Sequence, residues 1–153
     1  MRAYYLPLTA GRLLVASAFM PWIVIGDQRV GGVPNMAGLW VLGLGVLAIT
    51  LAILSVITRK NSRHPLLLVG LAALAVLLMS EQFMERSVID QAWARSQARA
   101  IVEGGTAPDV PEPTMAAGAY LGLSAAGVIT LFGLTIVVRR VPTPYAEPED
   151  DDA

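Results

Sequence analysis

Four long apolar runs, separated by short polar breaks, organise the chain. Met36 to Thr58 and Met115 to Val138 carry no charge. Each exceeds the ~20 residues that cover about 30 Å of hydrocarbon as a helix. A third run, Pro65 to Met84, is interrupted only by Glu81. The first is less regular: Leu13 to Gly26 is free of charge but short. Extending it back through Arg12 to Tyr5 gives about 33 Å at 1.5 Å per residue. Arg12 then snorkels toward the headgroups, with Tyr4 and Tyr5 in the interfacial belt. A cleaved signal peptide would use Ala16-Ser17-Ala18 as its processing site. The apolar run continues past that site through Phe19, Met20 and Trp22 to Ile25, which favours an anchor.

The breaks differ in character. Asp27 to Asn35 holds Gly31, Gly32 and Pro34 and reads as a tight turn. Arg59 to His64 is a short basic hairpin. Glu85 to Pro113 is the longest segment, and it lacks Gly and Pro as far as Glu103. Within it Ile89, Trp93, Ala100 and Ile101 recur at near-helical spacing, opposite Asp90, Arg95 and Arg99. Gly104-Gly105 supplies a stop, and Pro108, Pro111 and Pro113 an extended return. Nothing breaks the chain between the third run and this helix. It either projects as one rod or bends near Glu85 and lies along the surface with Trp93 at headgroup depth. The expected fold is an all-α integral membrane protein with four transmembrane helices in an up-down bundle, spanning about 5–26, 36–58, 65–84 and 115–138. An outer amphipathic helix, about 85–103, lies in the 85–113 loop between helices 3 and 4. The acidic, proline-rich tail 141–153 cannot bury a core.

Composition strengthens the membrane reading. Of 153 residues, 55% are hydrophobic and 15% charged, against roughly a quarter charged in soluble domains. A net charge of −1 creates no field to draw nucleic acid. Arg2, Arg12, Arg59, Lys60, Arg63, Arg139 and Arg140, seven of the eleven basic residues, fall on one side of the four-span arrangement. The positive-inside rule makes that side cytoplasmic, with both termini there, in a bacterial inner membrane.

Chemistry is sparse. The lack of cysteine removes disulfides, thiolate metal sites and thiol catalysis. His64, the sole histidine, cannot build a bis-histidine haem site. No phosphate-binding loop, nucleophile elbow, zinc signature or dinucleotide fingerprint occurs. No catalytic residue, cofactor, metal or small-molecule substrate is therefore expected. Glu81, about 24 Å along its helix from Pro65, forms a candidate polar site with Glu85 and Arg86 near the outer interface. Gly118, Gly122 and Ala126 follow at intervals of four, and with Gly43 and Gly70 they predict close helix packing. Trp22 and Trp93 are expected as interface anchors, with Pro21 kinking or ending the first span. Gly38-Leu39-Trp40 is similar to the Gly-Leu-Trp of claudin-like proteins. The cysteine pair that follows it there is missing and the loop is short, so no family assignment follows.

These features point to a non-catalytic accessory or structural subunit of a larger bacterial inner-membrane complex. Its partners would be integral membrane subunits and the lipid bilayer; respiratory and photosynthetic electron-transfer complexes are candidate hosts. The alternative is a small homo-oligomeric transporter or channel, which predicts charges near the midplane or an internal repeat. Neither is evident in the spans.

Overall fold

The computed structural model describes residues 4–58 and 63–138. Arg2, Arg59, Lys60, Arg139, Arg140 and the acidic tail lie outside the described residues. Four helices dominate: α1 (Tyr5–Phe19), α2 (Met36–Thr58), α3 (Arg63–Glu103) and α4 (Ala117–Val138). Three short strands, β1 (Pro21–Ile25), β2 (Gln28–Gly31) and β3 (Thr114–Met115), form an antiparallel sheet in the order β2-β1-β3.

Each helix packs on its neighbours in a ring: α1 on α2 and α4, α2 on α3, and α3 on α4. Paired residues set the directions. Gly11 and Val15 of α1 meet Ile49 and Gly45 of α2, so those helices run antiparallel. Gly70 meets Thr130 and Gly133 meets Leu67, which sets α3 against α4 in the same sense. Tyr4 stacks edge-on against Phe132 at 5.3 Å, while Ser17 faces Gly122 further along. The centre is filled by Leu14, Val41, Leu66 and Ile129 among alanines such as Ala18, Ala48, Ala73 and Ala126. Small side chains let the backbones approach where lipid supplies no hydrophobic drive. The hydroxyls of Ser17, Ser80 and Thr130 bond back to Leu14, Leu77 and Ala126 carbonyls of their own helices.

α2, α3 and α4 are long and apolar enough to cross a membrane, whereas α1 has 15 residues. At 1.5 Å per residue it reaches only about 22 Å. The helix expected over 5–26 thus ends early. Pro21 forces Met20 into extended backbone (φ −88°, ψ 158°). The β-branched run that follows then pairs instead of coiling. Trp22, Ile23 and Ile25 are buried, and their strand is paired on both edges. The expected tight turn over 27–35 is likewise partly strand. Ile25 pairs with Gln28 across the two-residue loop Gly26-Asp27, where Gly26 has φ +55°. That value lies in the left-handed region that glycine adopts without steric cost.

The third and fourth elements follow the pattern more closely. α3 is one uninterrupted helix of 41 residues, about 61 Å long. It rises well past the other helices. Gly104, at φ +68°, ends it, and the Gly105 N–H reaches back 3.1 Å to the Ala100 carbonyl. That bond is the signature of a Schellman cap. The proline-containing return then adds β3 to the sheet before α4 begins.

Candidate functional site

The extension of α3, the hairpin and the proline return together make a folded cap on one end of the bundle. Its base is built around Trp22, which is 2% exposed. The indole N–H donates to the Ser17 carbonyl at 2.8 Å, and the Met20 N–H donates to the same oxygen at 3.2 Å. The Val33 N–H donates to the Ala18 carbonyl at 2.9 Å. Carbonyls left open at the end of α1 are thereby satisfied by the chain that follows it. Ala116 ties the other side through its N–H to the Trp22 carbonyl at 2.7 Å. Trp22, expected as an interface anchor, is buried within the chain's own fold. The strand turns its ring inward, onto the end of its own bundle.

One face of the α3 extension, Met84, Val88 and Ala92, packs into the cap. The opposite face, which carries Trp93 and Ile101, stays outside. Trp93 is 60% exposed and Ile101 81%; Val102, 85% exposed, lies five turns beyond Met84 on the same side of the helix. Between the hairpin turn, α3 and the proline return lies an open cleft of about 330 Å³. Arg95 and Arg99 line its α3 wall, and Asp27 and Asp109 the opposing segments. Arg95 donates to the Gln28 side-chain oxygen, fastening the hairpin to the helix.

Glu81 lies half-buried beneath the cap, beside Trp22, Ile23, Met84 and Met115. Glu85 and Arg86 are exposed. Among the described residues no hydrogen bond or ion pair joins the three, so the expected polar cluster does not form. Five helical steps turn Arg86 about 140° away from Glu81.

The glycines separate by environment. A Cβ on Gly118 would meet the Pro21 carbonyl at 2.6 Å, so this residue packs against β1 and not against a helix. At Gly122 the nearest atoms are the Ser17 hydroxyl at 3.0 Å and Leu77 at 3.2 Å. Gly70 lies against Thr130, whose backbone N would sit 2.7 Å from an added Cβ. Ala126 is fully buried. Gly43 differs from the expectation: nothing lies within 4 Å, and it opens outward beside Trp40 and Leu47. Close contacts not singled out from the sequence include Gly133 on Leu67 and Gly11 on Ile49. Glycine at those positions was visible, but its direction on the helix was not.

At the opposite end, the Arg63 guanidinium lies 5.5 Å from the centre of the Phe132 ring, a cation–π arrangement. No family of known proteins, no characterised protein and no solved structure matches the chain.

Proposed function

We propose that the chain is a non-catalytic accessory subunit of a larger bacterial inner-membrane complex, crossing the bilayer four times in up-down order with both ends cytoplasmic. The observation that carries this reading is the α3 extension. A bilayer core about 30 Å thick cannot contain a helix of 41 residues. The part beyond the cap base therefore stands in water while it presents Trp93, Ile101 and Val102 uncovered. Apolar side chains of that size on a water-exposed helix mark a contact surface for another protein. In this reading α1 and β1 together make the first crossing. Irregular backbone is tolerated at that depth because both edges of β1 are hydrogen-bonded.

Purification in mild detergent, followed by mass spectrometry of a photo-crosslink from position 93, tests the reading. A larger membrane protein in fixed stoichiometry, crosslinked through Trp93, is the expected result. A clean homo-oligomer would instead favour a small self-associating channel or transporter, with the open surface at Gly43 as its contact.

A further inference from the structure

We propose that Arg12 is a docking residue whose guanidinium pairs, within the bilayer, with an aspartate or glutamate on a transmembrane helix of another protein. The proposal rests on the accessory-subunit reading and gives that partner a chemical requirement.

Depth is the first argument. Gly11 to Val15 pack on Gly45 to Ile49, the middle of α2 (Met36–Thr58). Against α4, Ser17 meets Gly122 on one side of this level and Tyr4 meets Phe132 on the other. Arg12 is therefore level with the centres of both long neighbours. Seven residues, about 10 Å, separate it from Tyr5 at the start of α1. The sequence places Arg12 beside the headgroups; the packing carries it toward the midplane.

Direction is the second. Pro7, Ala10, Leu14 and Ser17 form the buried face of α1. Leu6, Thr9, Arg12, Leu13 and Ala16 form the opposite one, turned out of the bundle. No hydrogen bond or ion pair holds the Arg12 side chain among the described residues. A guanidinium cannot discharge by losing its proton, and a charge in a transmembrane segment is costly unless it is paired or reaches water. Thr9 and Ala16, about one turn to either side, are small enough to let a second helix approach.

A second copy of this chain cannot supply the anion. Among the described residues, Glu81 is the one carboxylate within the apolar runs, and it lies beside Trp22 and Met115 at the outer end. Leu77, level with Ser17 through Gly122, sets Glu81 about 13 Å above Arg12 along the bundle. A neighbouring copy in the same orientation would present it at the wrong height. The partner is thus a different protein, with its acidic residue near mid-depth.

The test uses the full chain in its native membrane, with a benzophenone crosslinker at Leu13 and the variants Arg12→Leu and Arg12→Lys. Crosslinks are expected on one transmembrane segment of the partner, within about a turn of an Asp or Glu. Arg12→Leu should reduce recovery of that partner about tenfold or more, while Arg12→Lys retains most of it. Combining Arg12→Glu with arginine at the partner's acidic position should restore assembly. If Arg12→Leu assembles like wild type with the same partner, the side chain snorkels to the headgroups and the proposal falls while the accessory reading stands. If the chain purifies with no other protein, the accessory reading itself falls and takes the proposal with it.

Discussion

At the scale of single residues, the structure separates glycines that hold helices together from glycines that merely lie in them. A methyl group on Gly133 would sit 2.6 Å from the Leu67 Cα, a contact with backbone that no rotamer change relieves. Gly133→Ala should therefore lower stability by about 1–3 kcal/mol, the usual range for overpacking. Gly43→Ala, with open space around it, should leave the melting temperature of the detergent-purified chain unchanged. Equal effects of the two would mean that α3 and α4 do not meet at Leu67. Trp22 makes a second test. Trp22→Phe preserves most of the buried ring but removes the N–H that satisfies the Ser17 carbonyl, so a loss of about 1–2 kcal/mol in thermal denaturation is expected. A neutral result would place the ring in the membrane interface instead. Glu81 is half-buried with no hydrogen bond or ion pair among the described residues. Glu81→Gln should leave assembly and any coupled turnover intact, and Glu81→Leu should cost no more than about 1 kcal/mol. A complex that assembles normally with Glu81→Gln but loses proton-coupled turnover would assign the carboxylate a transport role.

At the scale of elements, the long helices were legible because an unbroken apolar run of more than 20 residues has few other solutions in lipid. α2 matches the expected bounds at both ends, and α4 starts two residues inside them because Thr114–Met115 joins the sheet. The hairpin was not legible in the same way, although its signals are present: a proline, a β-branched run, then Gly26-Asp27 as a two-residue loop. Hydropathy hid them. Trp22 to Ile25 continues the apolar stretch of α1, and a short buried strand cannot be told from a buried helix by periodicity alone. The candidate site was obscured for a related reason. Spacing identified an amphipathic helix after Glu85, but which face meets the cap depends on the sheet, and the sheet depends on residues 90 positions away, as in the bond from Thr114 to the Val24 carbonyl. Continuity of α3 can be measured directly. Spin labels at Gln82 and Ala98, both exposed, should lie about 24 Å apart along a straight helix of about 16 steps. A markedly shorter and broader distance distribution would show a bend near Glu85, with the extension lying on the membrane.

At the scale of the whole molecule, asymmetry between the two ends is what the proposed orientation rests on. One end carries short connections and most of the basic residues, with Arg63 set over Phe132. The other carries the sheet, the α3 extension and the proline return, with Arg29, Arg86, Arg95 and Arg99 spread along longer segments. Positive charge retards translocation chiefly in short loops close to a span, so the first end should remain cytoplasmic and the cap should face outward. Cysteine is absent from the chain, which makes single-cysteine labelling free of background. A cysteine at Ser62, in the basic connection, should react with a membrane-impermeant maleimide only after the cytoplasmic face is opened. One at Ser87, exposed on α3, should react in intact spheroplasts. The pair is informative because α3 alone joins the two positions: opposite accessibility requires that this helix cross the bilayer. Reaction of both from the same face would refute the crossing of α3 and, with it, the four-span arrangement. Opposite accessibility in the reversed sense would keep the bundle but put the cap, with its exposed Trp93, in the cytoplasm.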